Sequence, residues 1–371
     1  MAARIKALDL EAEWREVGKD VEEAVLRVLR SGQFVLGPET VAFETELAAL
    51  TGSRHCIGVG SGTEALFLSL IALGVTPGSE VVTTGFTYFA TVEAALWCGA
   101  RVIFADIEPE SYNLAPATLE RVLTPRTKVI MPVHLFGHCA DMAAIRAIAD
   151  ARGIPVLEDA AQAIGASRAG RAAGAWGRAG CFSFYPSKNL GGVGDGGCVT
   201  TDDDALADRL RLLRAHGCRQ RDHHETLGTT SRLDSIQAAA LRAKLPRLAA
   251  WTAARARHAR RYAELLAGLD GVTLPGIGPD EVAVWNQYTI RCRTPEPVRR
   301  ALDSEGIEWR HFYPIPAYRQ AALGDARLPE GALPEVERAC REVISLPIHP
   351  FLPEQAVVQV ASSIREAVAR G

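Results

Sequence analysis

The sequence predicts an α/β protein built around a largely parallel β-sheet. Between residues 54 and 201, short apolar segments alternate with segments of helical periodicity. Each apolar segment is nearly continuous rather than alternating with polar residues, which is typical of strands buried on both faces of a parallel sheet. Ligands of such sheets bind at the carboxyl ends of the strands, so we expect the functional residues there. The length of 371 residues suggests about two domains.

The elements follow this pattern along the first half of the chain. Five apolar runs are predicted strands and begin at His55, Glu80, Arg101, Lys128 and Ile154. Helices are predicted between them over residues 116–122 and 141–151, and Gly153 ends the second. The alternation of strands and helices is the basis of the α/β assignment.

The second half begins with two more strands, 180–184 and 197–201, which flank a glycine-rich stretch over 191–197. Helices are predicted over 203–215 and 233–267, and Pro246 must kink or break the longer one. A second unit follows, with a strand over 286–291, a helix over 295–305, a loop over 311–316 and a final helix over 353–369.

Composition excludes several classes of protein. The chain has 41 Lys and Arg against 44 Asp and Glu, a net charge of −3 that gives no reason to expect nucleic acid or an acidic membrane as partner. No apolar run reaches the roughly 18 residues of a membrane span, and no signal peptide is expected. The eight cysteines are scattered without a CxxC pair. We therefore expect a cytoplasmic protein without a metal site.

Two glycine motifs could bind phosphate. Gly60-Ser61-Gly62-Thr63 follows a strand and opens a helix, so its backbone amides could hold an anion, although an ordinary capped turn is an equal alternative. The stretch 192–197 matches GxGxxG but precedes a strand instead of opening a helix. It therefore fails the structural context of a dinucleotide site.

An acid and a lysine add to the possible phosphate-binding turn. Asp159 ends a buried strand, where a carboxylate needs a cationic partner, although helix capping is the alternative. Lys188 lies between a strand and the glycine-rich stretch, where an amine can be desolvated and nucleophilic, although most lysines are surface charges. A reactive amine, an anion cradle and a buried acid are together what pyridoxal phosphate requires.

These motifs, with others in the same order, make the chain similar to the DegT/DnrJ/EryC1/StrS family of sugar aminotransferases. The shared segments are Gly37-Pro38, Phe43-Glu44, 61–66 (SGTEAL), 87–91 (TYFAT), 158–162 (EDAAQ), 182–188 (FSFYPSK), 194–197 (GDGG), His216-Gly217 and 231–239 (SRLDSIQAA). The resemblance implies fold type I of the pyridoxal phosphate-dependent transferases. That fold has a three-layer α/β/α large domain with a mostly parallel sheet, here over residues 1–250. A smaller α+β C-terminal domain, on which the N-terminal helix can pack, covers 251–371.

The resemblance also implies roles for individual residues. Lys188 would be the catalytic residue, forming the Schiff base with the cofactor and moving the proton. Asp159 would pair with the pyridine nitrogen, Gln162 would bind the O3′ side, and Tyr88 would stack on the ring. The phosphate would be bound by Gly62, Thr63, Glu64 and Ser183. The family is dimeric with its active site at the interface, and Thr230 stands where relatives place an Asn that reaches the partner's cofactor phosphate.

The implied reaction transfers an amino group from L-glutamate to a nucleotide-diphosphate-linked keto sugar, at C3 rather than C4, by a ping-pong mechanism. Residues expected to contact the sugar substrate are Tyr185, Arg221, His223, His311 and Tyr313. Dehydratase relatives carry His in place of the lysine, so Lys188 favours transamination over a dehydratase or lyase on the same cofactor. A non-catalytic ligand-binding sensor is the remaining alternative.

Overall fold

The computed structural model describes residues 4–220 and 222–370. Its helices are α1 (Leu10–Ser31), α2 (Pro38–Thr51), α3 (Gly62–Ala72), α4 (Ala90–Trp97), α5 (Pro116–Val122), α6 (Met142–Asp150), α7 (Asp204–Leu213), α8 (Ser235–Lys244), α9 (Leu248–Leu266), α10 (Pro295–Ser304), α11 (Pro334–Glu342) and α12 (Glu354–Arg370). Its strands are β1 (His55–Val59), β2 (Glu80–Thr84), β3 (Arg101–Ala105), β4 (Thr127–Ile130), β5 (Leu157–Asp159), β6 (Ser167–Arg168), β7 (Arg171–Ala172), β8 (Ala179–Ser183), β9 (Gly197–Thr201), β10 (Cys218–Gln220), β11 (His223–His224), β12 (Val272–Thr273), β13 (Glu281–Val282), β14 (Tyr288–Cys292) and β15 (Val343–Leu346).

The central sheet is mostly parallel, as the apolar runs predict. It joins two hydrogen-bonded groups, β3-β2-β4 and β5-β8-β9-β1, through parallel bridges from Ile130 to Val156 and from Val133 to Asp159. Strand β9 runs antiparallel to both of its neighbours, and the remaining pairs are parallel. The carboxyl ends of β2, β5 and β8 therefore meet at one edge of the sheet.

Helices cover both faces of this sheet. Successive residues of a strand point to opposite faces, and Val81 and Val82 of β2 enter two different cores. Val81 packs in the core that contains Leu66 of α3 and Leu210 of α7, whereas Val82 packs in the core that contains Ile145 of α6. This arrangement is the three-layer α/β/α fold expected of fold type I.

The C-terminal part of the chain has its own core around an antiparallel sheet of order β12-β14-β15. Tyr262 of α9, Tyr288 of β14 and Ile364 of α12 are buried together there. The long helix predicted from the sequence breaks at Pro246, where a 3₁₀ turn over Leu245–Arg247 separates α8 from α9. A domain boundary at residue 250 remains a prediction.

The N-terminal segment, residues 5–31, contacts both parts of the molecule. Val17 and Val21 of α1 pack with Ala240 of α8 and Trp251 of α9, and Ile5 joins the C-terminal core. Over residues 4–220 and 222–370, no helix is long and apolar enough to span a membrane, and no acidic, histidine and cysteine cluster could hold a metal ion.

Candidate active site

A cavity of about 490 Å³ opens at the carboxyl ends of β2, β5 and β8, beside the first turn of α3. Nine of the residues predicted from the sequence line it: Gly62, Thr63, Tyr88, Asp159, Gln162, Ser183, Tyr185, Lys188 and Tyr313. A larger groove of about 730 Å³ lies at the opposite edge of the sheet, where Pro155 precedes β5 and Arg178 precedes β8. No lysine lines that groove in the part of the chain that is described, so the chemistry belongs to the smaller cavity.

The first turn of α3 forms an anion-binding cradle in the cavity. Ser61 caps the helix, because its Oγ accepts the backbone N–H of Glu64 at 3.1 Å. The carbonyl oxygen of Ser61 accepts the N–H of Ala65 at 3.0 Å. The remaining amides of this turn, those of Gly62 and Thr63, have no protein acceptor among the described residues, as is usual in a first helical turn. Together with the helix dipole, these two amides favour a phosphate group.

Gly62 also brings the cradle close to Ser183. A Cβ at Gly62 would lie only 2.7 Å from the Cβ of Ser183, so the approach requires glycine. Ser183 Oγ accepts the N–H of Tyr185 at 3.3 Å, which leaves its hydroxyl proton for a phosphate. Glu64 does not line the cavity: its amide is bound to Ser61 and its carboxylate accepts the hydroxyl of Ser231 at 2.8 Å. Its role as a phosphate ligand stays a prediction.

Lys188 lies in the loop between β8 and β9 and is only partly exposed. The next residue, Asn189, is buried and anchors this loop: it donates to the carbonyl of Val284 at 2.8 Å and accepts from Asn286 at 3.1 Å. Burial lowers the pKa of Lys188 to about 8, and the nearby negative charge of Asp159 opposes that shift. A substantial fraction of the amine is therefore neutral and nucleophilic near neutral pH.

Asp159 ends β5 and is 5% exposed. Its Oδ2 accepts the hydroxyl of Thr91 at 2.7 Å, and its Oδ1 accepts the N–H of Ala161 at 3.2 Å. Burial raises the pKa of Asp159, whereas the hydrogen bonds from Thr91 and Ala161 and the charge of Lys188 lower it. A buried carboxylate held in this way can pair with a cationic ring nitrogen in the cavity.

Glu158, the preceding residue, points away from the cavity and is fully bound by protein donors. Its Oε1 accepts the N–H groups of Trp176 and Gly177 at 2.7 and 2.6 Å, and its Oε2 accepts the N–H of Gly174 at 2.8 Å. His134 Nε2 donates the fourth bond, at 2.8 Å. His134 Nδ1 accepts from Ala140, which places the proton on Nε2. Glu158 therefore anchors the end of β5, and only Asp159 is open to a ligand.

The hydrogen bond between Gln162 and Tyr313 ties the cavity to the loop between α10 and α11. The side-chain oxygen of Gln162 accepts the N–H of Phe136 at 2.7 Å, and its Nε2 donates to the Tyr313 hydroxyl at 3.1 Å. One hydrogen of Nε2 stays available for a ligand. The rings of Tyr313 and Tyr88 lie 6.3 Å apart, and Tyr88 is 63% exposed at the mouth of the cavity.

Two predicted residues lie away from this cavity. Thr230 is exposed and hydrogen-bonds His216 Nε2. His223 is exposed in the β10–β11 hairpin. Arg221, which the sequence suggested as a sugar contact, lies outside the described residues. Arg219, two residues before Arg221 in the sequence, is paired with Asp208 and Glu225.

His311 is also absent from the lining of the cavity as far as the chain is described. Its Nε2 contacts the carbonyl oxygen of Cys340 at 2.7 Å, and burial lowers its pKa. The neighbours Phe312 and Tyr313 line the cavity instead. A contact between His311 and a sugar stays a prediction.

Comparison with known proteins gives the family of the chain. A profile described as the DegT/DnrJ/EryC1/StrS aminotransferase family matches residues 15–365. The chain belongs to this family. It is 44% identical to the dTDP-3-amino-3,4,6-trideoxy-alpha-D-glucose transaminase of Streptomyces venezuelae, over 98% of this chain and 96% of that protein. It is 42% identical to the UDP-2-acetamido-2-deoxy-3-oxo-D-glucuronate aminotransferase of Pseudomonas aeruginosa, over 97% and 99%.

A solved structure supports the same family assignment. The S. venezuelae DesV structure, in complex with a ketimine intermediate, superposes with a TM-score of 0.98, covers 100% of both chains and is 44% identical. A DegT/DnrJ/EryC1/StrS aminotransferase depends on pyridoxal phosphate, and the cavity fits this cofactor. Lys188 supplies a desolvated amine, α3 a phosphate cradle, and Asp159 a buried carboxylate.

The cavity of this DegT/DnrJ/EryC1/StrS aminotransferase is also lined by residues to which the sequence gave no role. Thr87, Thr91, Asp195, Asn286 and Gln287 also line the cavity. Thr87 and Thr91 belong to the TYFAT segment that carries the family resemblance. The sequence therefore marked this segment as shared with the family but gave these two threonines no role. Asn286 and Gln287 lie in a predicted strand, where nothing in the local pattern distinguishes them from other polar residues.

Proposed function

We propose that the protein transfers the amino group of L-glutamate to C3 of a nucleotide-diphosphate-linked keto sugar, in a ping-pong reaction. The observation that carries the proposal is the placement of Lys188 and Asp159 in one cavity beside the free amides of α3. The names of the relatives, which are transaminases of 3-amino or 3-oxo sugars, support C3 over C4.

Pyridoxal phosphate, when bound, supplies a carbonyl carbon that exchanges amines and a ring that accepts electron density. Lys188 would hold that carbon through its neutral amine. With a pKa of about 8, about a quarter of the amine is neutral at pH 7.5, against about 0.1% for an ordinary lysine. With an amino donor in the site, the free Lys188 Nζ would take the proton from the donor's Cα and hold it for return.

The other residues hold and orient the group. Asp159 keeps a proton on the ring nitrogen through its negative charge, which makes the ring a better electron acceptor. Gln162 donates its remaining Nε2 hydrogen to the ring oxygen, and Tyr88 offers its face to the ring. Gly62, Thr63 and Ser183 bind the phosphate. We assign the contacts with the sugar to Tyr185, which is 54% exposed, and to Tyr313, both in the cavity lining.

We further propose a homodimer whose active sites lie at the interface. Within the described residues, Lys188 is the one cation in the cavity lining, against the carboxylates of Asp159 and Asp195. A cofactor phosphate and a diphosphate bring several negative charges, which need cations from elsewhere. The exposed rings of Tyr88 and Tyr185 at the cavity mouth also support coverage by a second copy. We assign the contact with the partner's phosphate to Thr230, which is exposed outside its own cavity.

We also propose a cytoplasmic location, because all eight cysteines are free thiols and seven of them are buried. A division into a cofactor-binding unit over residues 1–250 and a smaller unit over 251–371 completes the proposal. It is supported by the separate C-terminal core around β14 and β15.

The proposal is tested with the purified holoenzyme. Glutamate should convert the visible absorption of the bound cofactor to that of its amine form, and 2-oxoglutarate should restore it. Keto sugars linked to UDP, dTDP and GDP should then reoxidise the cofactor, and NMR of the product should place the new amine at C3. An amine at C4 would correct the position. Release of a deoxygenated sugar without glutamate would indicate a lyase or dehydratase, and ligand binding without turnover would indicate a sensor.

A further inference from the structure

We propose that Thr87 and Thr91 form a two-hydroxyl chain that positions Asp159 and keeps its negative charge aimed at the cofactor's ring nitrogen. The inference rests on the proposed function, since it assumes that the cofactor's ring lies against Asp159. It adds two positioning residues to the site.

The hydrogen bonds have one consistent direction. Thr91 Oγ1 lies 2.7 Å from Asp159 Oδ2, and an ionised carboxylate only accepts, so Thr91 donates. The hydroxyl of Thr91 then has lone pairs left, and Thr87 Oγ1 lies 2.8 Å away. Thr87 therefore donates to Thr91, which donates to Asp159. A chain of donors polarises each bond and strengthens the last one.

The chain is buried and local in sequence. Thr87 is 5% exposed and Thr91 is 1% exposed, so water does not compete well for these bonds. The two residues are four positions apart: Thr87 lies just before α4, and Thr91 lies in its first turn, where its N–H donates to the carbonyl of Tyr88 at 3.2 Å. The short segment 87–91 therefore carries both the ring assigned to the cofactor and the hydroxyls that hold its acid.

The charge balance at Asp159 explains why such support is needed. Burial favours the neutral acid and raises the pKa of Asp159, and the hydrogen bond from Thr91 is the largest of the effects that oppose this shift. The N–H of Ala161 opposes it through a longer bond of 3.2 Å. The positive charge of Lys188 also lowers the pKa of Asp159. The hydroxyl of Thr91 is an uncharged donor, so its support of Asp159 does not depend on the protonation state of Lys188.

The test compares Thr91→Val, which keeps the shape and removes the hydroxyl, with Thr91→Ser, which keeps the hydroxyl. A matched control is Thr83→Val, because Thr83 is equally buried and its hydroxyl donates to the carbonyl of Met131 at 2.7 Å, outside the cavity lining. Each apoprotein is titrated with pyridoxal phosphate by fluorescence. The protonation of the ring nitrogen is read from the ¹⁵N chemical shift of labelled cofactor, and thermal unfolding of the apoproteins reports any general loss of stability.

Thr91→Val removes a hydrogen bond to a charged group, so this variant should bind the cofactor about tenfold to hundredfold more weakly. Thr87→Val removes only the bond behind it and should weaken binding about twofold to tenfold. The nitrogen signal of Thr91→Val should shift toward the neutral form. Thr91→Ser should restore both readouts, and Thr83→Val should leave both unchanged. Equal affinity and an unchanged nitrogen shift in Thr91→Val would overturn the proposal. A wild-type protein that does not bind the cofactor would instead overturn the proposed function.

Discussion

Replacing Glu158 by glutamine tests how the end of β5 is held. Each carboxylate oxygen of Glu158 accepts two hydrogen bonds, so whichever oxygen becomes an NH₂ group, two donors lose their acceptor. His134 cannot adapt by moving its proton, because Nδ1 is occupied by the N–H of Ala140. At about 1.5–3 kcal/mol for each bond to a charged group, Glu158→Gln should lower the free energy of unfolding by about 3–6 kcal/mol.

The loss is measured by urea denaturation of the apoprotein, followed by circular dichroism. The control is Glu225→Gln, because Glu225 is exposed and contacts Arg219 at 3.3 Å on the surface. That control should cost less than about 1 kcal/mol. A loss below about 1 kcal/mol in Glu158→Gln would refute the idea that Glu158 is a fully bound anchor.

Three further outcomes follow from the site. The rate at which the apoprotein binds pyridoxal phosphate covalently should rise with pH and level off above the Lys188 pKa of about 8, because only the neutral amine attacks. Stopped-flow absorbance measures this rate, and a rate still rising at about pH 10 would contradict a lowered pKa. Gly62→Ala should weaken cofactor binding by about tenfold or more, since its Cβ would meet Ser183; unchanged affinity in calorimetry would exclude that contact. Gln162→Leu leaves the N–H of Phe136 without its acceptor and should cost about 1–3 kcal/mol in urea denaturation, whereas Gln162→Glu keeps the acceptor and should cost less.

Much of the fold could be predicted because its causes are local. The apolar runs at β1, β2 and β3 need no partner to be recognised as buried strands, and Pro246 breaks the long helix through its own ring. Helix α11 and strand β15 were not predicted. Strand β15 has only four residues, so its strand character depends on pairing with β14 more than on a pattern of its own.

The site shows the same division. The predicted residues Lys188, Asp159 and Gln162 line one cavity, because the parallel sheet places the ends of its strands together. His311 and Tyr313 were both predicted to contact the sugar. Tyr313 lines the cavity, whereas the imidazole of His311 contacts the carbonyl oxygen of Cys340. The sequence contains no signal for which of two loop residues, two positions apart, points inward.

The sequence by itself determined the alternation of strands and helices, the glycine turns and the presence of a lysine and an acid of the right kind, since these depend on residue type and short spacing. The tertiary structure alone decided the pKa values of the lysine and the acid, and therefore their reactivity. Burial lowers the pKa of Lys188 and raises that of Asp159, and desolvation is a property of everything packed around a residue. It also decided that Asp159, and not Glu158, is open to the cavity, because neighbouring side chains on a strand point to opposite faces and only the packing shows what lies on each.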